Sequence, residues 1–391
     1  MTISEAAAAA GVSAGTLRRW VSAGVVPEYS GAWTLAALGQ ARLVARLRER
    51  GYSLAEIRAA TDDGRLAFGR VLELFGTGGT TYTRAEAARK TGLDAETVDS
   101  VAAMLGITAG QPLEDAAFRV VGHVADAIRA GLPREAMMQI TRVYAQAVGQ
   151  IADTEVRLVH LYLHEPLMRS GGSAEEMASA MHSIAEGLLP IAPPLLEQVH
   201  RHMLMQYLDQ DVIGHMEAEV GSGEDDVGRM RVAIAFADLA GYTQLTEAQG
   251  DRHAVEVVER FHDDAAATLP DGARVIKTIG DEVMVIGPDP AALAAWAVRL
   301  GELMPEDPRL RAAVHYGYAQ YRDGDYFGRE VNLTARVQAQ SGEGEVLVTR
   351  PVVDAAAVTG AADLRFVPVA DVALRGFSEP TELFRVARGS R

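Results

Sequence analysis

Asp238 closes an apolar run, Val232-Ala233-Ile234-Ala235-Phe236, and is followed by Leu239-Ala240-Gly241-Tyr242-Thr243. A carboxylate at a strand end offers hard oxygen ligands suited to Mg²⁺ or Mn²⁺. The N–H groups of Gly241, Tyr242 and Thr243, at an expected helix start, can cradle phosphate. Asp281 lies in Gly280-Asp281, between the β-type runs Val275-Ile276-Lys277-Thr278-Ile279 and Val283-Met284-Val285-Ile286, the pattern of a hairpin. Alone it reads as a turn residue. Paired with Asp238 it completes the two carboxylates that two bridging metal ions need for in-line phosphoryl displacement. Lys277 reads either as an exposed strand lysine or as a donor to a purine edge. Asn332 and Arg336 are four apart in an expected helix and share one face. An amide and a guanidinium so placed can hold a ribose and stabilise charge on a phosphate in flight.

The elements that must position these groups divide the chain in two. The 391 residues predict two or three domains. Residues 1 to about 215 carry Ala, Leu, Arg, Glu and Met with helical apolar spacing, and residues 230–391 alternate short β-type runs with helical ones. Between them Val220-Gly221-Ser222-Gly223-Glu224-Asp225-Asp226 reads as an acidic linker. Within the helical half, Ser53 with Glu56 and Thr83 with Glu86 predict capping boxes. Pro190, Pro193 and Pro194 predict a break before a long helix from Leu195 to about Glu219. Met137, Met138, Met168, Met177, Met181, Met203 and Met205 suggest a pocket for a flexible apolar ligand, and more simply a Met-rich core.

Composition sets bounds. Apolar residues make up 48% and charged residues 23%, an ordinary globular balance. Net charge is −16, so the surface as a whole is not built to neutralise nucleic-acid phosphates. With no cysteine, disulfides, thiolate nucleophiles and cysteine-ligated metals are excluded. No apolar run reaches the roughly 18–20 residues that span a bilayer. The first residues lack the pattern of a signal peptide, so the expected compartment is the cytoplasm.

Together Asp238, Asp281, Lys277, Asp325, Asn332 and Arg336, in this order and spacing across residues 230–388, resemble the catalytic domain of class III nucleotide cyclases. The resemblance implies an α+β ferredoxin-like (βαββαβ) domain. Asp238 and Asp281 are then the metal aspartates, with the Leu239 carbonyl as an extra ligand, for two Mg²⁺ or Mn²⁺ ions per active site. Lys277 and Asp325 are the purine-selecting pair, and Asn332 and Arg336 the transition-state residues. Arg311 and Arg375 match cationic, phosphate-contacting positions. The pair implies ATP as substrate, because adenine accepts at N1 and donates at N6. A head-to-tail homodimer with shared sites is also implied.

The region before this domain, including Thr80-Thr81-Tyr82-Thr83-Arg84-Ala85-Glu86, resembles the helical autoinhibitory domain of the pH-sensing bacterial class III adenylate cyclases, some of which bind fatty acid there. The first sixty residues resemble a MerR winged helix-turn-helix. The matching pieces are Ile3-Ser4-Glu5-Ala6-Ala7, Gly11-Val12-Ser13, Thr16-Leu17-Arg18-Arg19-Trp20, Ala23-Gly24-Val25-Val26-Pro27 and Leu47 to Ile57. Arg18 and Arg19 are then the candidates for DNA contact, although the wing, Glu28 to Trp33, has no arginine. The expected organisation is a MerR-like segment (1–62), a helical regulatory domain (63–198), a switch helix with the acidic linker (199–229) and the catalytic domain (230–388). His200, His202 and His215 lie on the switch helix, where protonation near neutral pH can change contacts. A regulated adenylate cyclase is the expected function. The alternative is a MerR-type DNA-binding regulator with a nucleotide-sensing cyclase-like domain, which the complete catalytic set argues against.

Overall fold

The computed structural model describes residues 2–26, 33, 35–66, 80–171, 173–217, 229–304, 308–359 and 363–389. Four helices open the chain: α1 (Ile3–Ala9), α2 (Ala14–Ser22), α3 (Leu35–Glu49) and α4 (Leu54–Asp62). Gly11, at φ 72°, turns the chain between α1 and α2, a conformation that a side-chain-bearing residue adopts only with strain. Ser53 and Glu56 form the expected capping box on α4. Leu17, Trp20, Val25, Leu38, Val44 and Ile57 close a small core of their own. Arg18 and Arg19 are exposed on α2. Of the proposed wing, Glu28 to Trp33, residues 28–32 lie outside the described residues.

The helical region continues with β1 (Thr81–Tyr82), α5 (Arg84–Thr91), α6 (Ala95–Met104), β2 (Leu113–Glu114), α7 (Asp115–Arg129) and α8 (Arg134–Val159). A π-helical turn, His160–His164, joins α8 to α9 (Glu165–Arg169), and α10 (Ala174–Leu188) and α11 (Ala192–Glu217) follow. Thr83 and Glu86 cap α5 as expected. The expected break falls at residues 189–191, and the long helix starts three residues earlier than expected. Pro193 and Pro194 sit inside the first turn of α11, where the missing N–H groups have no intrahelical partner to lose. The Met-rich core holds in part. Met177 and Met181 are buried, whereas Met203 and Met205 are 41% and 56% exposed on α11, so helical spacing alone misplaced them.

The C-terminal region runs β3 (Arg229–Ala240), α12 (Tyr242–Gln249), α13 (Asp251–Ala267), β4 (Arg274–Ile279), β5 (Glu282–Gly287), α14 (Pro290–Leu303), β6 (Arg309–Arg322), β7 (Asp325–Phe327), α15 (Arg329–Gln338), β8 (Val346–Thr349), α16 (Arg350–Thr359), β9 (Leu364–Val372) and β10 (Thr381–Arg388). One mixed sheet orders its strands β4-β5-β3-β6-β8-β10-β9, with β7 hairpinned onto β6. Among the described residues only β6 and β8 pair in parallel.

Strand alternation sorts the side chains by face. Ala233, Ala235, Ala237 and Leu239 of β3 join Val283 and Val285 of β5 on the face covered by Phe261 of α13 and Leu293, Trp296 and Leu300 of α14. Val232, Ile234 and Phe236 point the other way, with Met284, Ile286, Tyr326 and Val331. By parity Asp238 belongs to this second face. The chain divides into two units, residues 1–205 and 206–391, and the division falls within α11. Among the described residues no helix is long and apolar enough to cross a membrane.

Candidate active site

Asp238 is the tenth residue of β3, where the sheet runs out and α12 begins two residues after the strand's end. Its neighbours are fixed by register: Glu282 of β5 on one side and Arg311 of β6 on the other. Cross-strand neighbours share a face with Cβ atoms roughly 5 Å apart, so the three form one ionic row. Arg311 donates from Nε and Nη2 to the two Asp238 oxygens, the second at 2.6 Å. This hydrogen bonding raises the Arg311 guanidinium pKa further above its ordinary value. Leu239, next on the strand, is buried in the opposite core, which leaves its backbone carbonyl as the part able to serve the site.

Asp281 stands in the β4–β5 turn beside Gly280, which takes φ 63°. Burial pushes its carboxyl above the usual range, and the charge of Asp238 adds to the effect. Burial also raises Glu282, with Asp238 and Asp281 contributing. Burial with like charge nearby thus disfavours ionisation of Asp281 and Glu282, and the charge of Arg311 only partly offsets it. Divalent cation chemistry fits that donor set, with Asp238 and Asp281 as oxygen ligands. Among the described residues no three acids or histidines converge as a ready cage, and Asp238 is instead held by Arg311. Sequence reading missed Glu282. Its place beside Asp238 follows only from the pairing of β5 with β3.

Gly241 caps α12 with φ 84° and without a side-chain capping bond. The first N–H groups of α12, from Tyr242 and Thr243, are therefore not capped by a local side chain, and Gly241 and Thr243 are exposed. This suits the expected phosphate cradle.

Lys277 and Asp325 meet. Lys277 Nζ lies 2.5 Å from Asp325 Oδ2, across 48 positions of sequence. A bulge at Val275–Lys277 sets the register of Lys277 on β4, and the β6–β7 hairpin carries Asp325. Asp325 Oδ1 also accepts from the Tyr326 amide at 2.8 Å, which fixes the carboxylate. Tyr326, buried, accepts at its hydroxyl from Arg274 of β4 at 2.6 Å. Two bonds thus tie β7 to β4.

Asn332 and Arg336 are both exposed on α15, one turn apart. The buried side of that helix, Leu333 and Val337, packs with Leu374. The turn carrying Arg375 is thereby brought to α15, and Arg375 is exposed there. Arg311 sits apart from this group, on Asp238.

Loss of Arg311 leaves Asp238 buried without its partner. Arg311→Ala is expected to cost about 1 kcal/mol in the absence of divalent cation. The low end applies because the Arg311 side chain keeps 38% exposure. Mn²⁺ should raise the melting temperature of this variant more than that of the parent chain. An equal rise in both would show that Arg311 and the cation do not compete for Asp238.

A family profile described as adenylate cyclase regulatory domain matches residues 30–210. Over 360 residues the chain is 30% identical to the pH-sensitive adenylate cyclase of Mycobacterium tuberculosis, covering 90% of this chain and 88% of that one. The chain belongs to the class III adenylate cyclases with an N-terminal regulatory domain. An adenylate cyclase of Streptomyces coelicolor is 31% identical over 275 residues, 68% of this chain and 69% of its own. A solved adenylyl cyclase from P. aeruginosa covers 42% of this chain and 96% of its own length, at 21% identity and a TM-score of 0.38.

In the regulatory region of this cyclase, His200 of α11 lies 3.2 Å from the Tyr144 hydroxyl of α8. His202 is exposed on the same helix. The side chain of His215, and the acidic linker at 218–228, lie outside the described residues. Sequence reading missed His160 and His164, whose rings are 4.9 Å apart in the π turn. His164 is buried, which pushes its imidazole below the ordinary value. Their four-residue spacing was the visible signal.

Proposed function

We propose that this adenylate cyclase converts ATP to 3′,5′-cyclic AMP and pyrophosphate at two equivalent sites shared across a homodimer. The contact between Lys277 and Asp325 is the observation that carries the reading. A donor and an acceptor held side by side match adenine, with Lys277 donating to N1 and Asp325 accepting from the N6 amino group. Asp238 and Asp281, with the Leu239 carbonyl, would hold Mg²⁺ or Mn²⁺ from one chain. When bound, the metal supplies Lewis-acid charge at the phosphate oxygens. Gly241, Tyr242 and Thr243 present backbone N–H groups to the phosphates.

Asn332 orients the ribose, and Arg336, with Arg375, meets negative charge on the transferring phosphate. The ribose 3′-oxygen attacks the α-phosphorus and loses its proton. The bond to the β-phosphate oxygen breaks, and pyrophosphate leaves with that electron pair. Catalysis is positioning plus electrostatics, with no covalent intermediate. The test is cyclic AMP formation by the full chain with Mn-ATP or Mg-ATP. Absence of product with both metals sinks the reading.

The helical half regulates this chemistry, and acid is the proposed signal. Support comes from His200 at the α8–α11 contact, from the His160–His164 pair, and from the mycobacterial relative, a pH-sensitive adenylate cyclase. An alternative ligand for this region is a fatty acid. A pH–activity profile unchanged by His164→Ala, His200→Ala and His202→Ala would remove the acid reading.

Arg18 and Arg19 on α2 support DNA binding as a second reading, since α1 and α2 meet through the Gly11 turn. Other arginines nearby are already engaged: Arg42 with Glu114 and the Ala9 carbonyl, Arg58 with Asp62. Retention of duplex DNA at low salt that weakens in Arg18→Ala/Arg19→Ala is the expected result. No retention by the parent chain ends this reading.

A further inference from the structure

We infer that Glu330 is a positioning residue: gripped by the buried His315, it sets the first turn of α15 and with it the aim of Asn332 and Arg336. Those two side chains carry the roles proposed for them above, and this inference rests on that reading. Local sequence does not fix the turn. Helices α4 and α5 begin with a side-chain cap and its reciprocal glutamate, whereas α15 begins at Gly328, φ 129°, without a side-chain capping bond. The Asn332 amide closes the turn on the Gly328 carbonyl at 3.2 Å. Leu333 and Val337 hold the helix by apolar contact with Leu374. Apolar packing is non-directional, so it specifies a buried face more closely than the place of one atom.

The missing restraint comes from the sheet. His315 stands opposite Ile234 and so shares its face, the one on which Val331 of α15 packs. Its Nε2 lies 2.8 Å from Glu330 Oε2, and its Nδ1 lies 2.7 Å from the Thr349 hydroxyl at the end of β8. His315 is 5% and Thr349 2% exposed, so water competes little for these contacts. Arg329 donates to the other Glu330 oxygen at 3.1 Å. Contact with His315 holds the Glu330 carboxyl below its ordinary value and so keeps it an acceptor. One imidazole thus joins β6, β8 and α15. Gly317 bears an independent mark of the arrangement. A Cβ there would stand 2.6 Å from His315 Nε2 and 3.0 Å from Glu330 Cγ. The φ of Gly317 lies outside the left-handed region, so the pair, and not the backbone, excludes a side chain.

Hydroxyl, imidazole and carboxylate in a row also describe a hydrolytic triad. The burial of Thr349 excludes that use, because a substrate could not reach its hydroxyl. What the row supplies is position. Glu330 and Asn332 are two apart on a helix, so Glu330 turns to the sheet while Asn332 is exposed on the other side. Arg336 follows Asn332 by one turn. Rotation or fraying of the first turn would carry Asn332 off its aim. A displacement of about 1 Å at such a group can cost on the order of a hundredfold in rate. Lys277 and Asp325 are tied to each other, and β7 is tied to β4 again through Tyr326 and Arg274, so the hold on adenine is independent of this turn.

The test compares Glu330→Ala with Glu330→Gln in the full chain, reading ATP turnover and amide hydrogen exchange. Glu330→Ala should lower kcat by about tenfold or more and leave KM for ATP within about twofold of the parent. Glu330→Gln keeps the side-chain length and an acceptor for Nε2, and should hold kcat within about threefold. Exchange at Asn332 and Leu333 should quicken about tenfold in Glu330→Ala, while β10 keeps its parent rates. Gly317→Ala presses a methyl group onto the pair; it should quicken the same amides, and it serves if Glu330→Ala does not fold. Unchanged kcat or unchanged Asn332 exchange in Glu330→Ala overturns the proposal. So does an equal loss in Glu330→Gln, a KM rise that matches the fall in kcat, or exchange quickened equally in β10. If the parent chain makes no cyclic AMP, the catalytic reading fails, and exchange at Asn332 still decides whether Glu330 sets the turn.

Discussion

Equal amounts of Asp238→Ala and Asn332→Ala chains, each inactive alone, should form cyclic AMP at about a quarter of the parent rate when mixed. Random pairing makes half the dimers mixed, and each mixed dimer keeps one intact site of two. Either substitution alone is expected to lower turnover by roughly a thousandfold, since each removes a group that meets the reacting phosphate or ribose. Asp238 is buried at a strand end, while Asn332 is exposed on α15, so neither loss should disturb the other element. Mixed dimers can be purified through two different affinity tags, and cyclic AMP is then measured. Mixed dimers that stay inactive would place the whole site within one chain.

The second large effect concerns base choice. Lys277→Glu with Asp325→Cys should lower kcat/KM for ATP by about a hundredfold or more and admit GTP, because guanine donates where adenine accepts. The geometry explains why two changes are needed. Nζ and Oδ2 are 2.5 Å apart, so Lys277→Glu alone sets two carboxylates against each other. Asp325→Cys removes that repulsion. Unchanged ATP turnover in the double variant would dismiss this pair as the purine reader.

Local chemistry in the sequence carried far. Asp238 after an apolar run, Asp281 in a Gly turn, and Asn332 four before Arg336 each depend on short-range pattern, and the structure gives each the element its pattern predicts. The capping boxes at Ser53 and Thr83 are equally local. What escaped depends on register. That Arg311 would lie on Asp238 follows from pairing β3 with β6, 73 positions apart, and no single segment contains that information. Glu282 was overlooked for the same reason. The exposure of Met203 and Met205 shows the converse. Apolar spacing marks a helix face, and what covers that face is decided elsewhere in the fold.

Two charged members of the proposed catalytic set are paired within their own chain, Asp238 with Arg311 and Lys277 with Asp325. A solitary copy therefore offers weak electrostatic attraction to nucleotide or divalent ions, since entry of either must first displace a satisfied partner. Idle copies would not drain these common metabolites, and few would be caught holding half a substrate. In the proposed homodimer the site forms only on pairing, and where dimers are scarce their number grows with the square of copy number, so cyclic AMP output would rise more steeply than expression. A cell making a few stray copies would generate almost no background signal, and a modest increase in synthesis would register as a clear one.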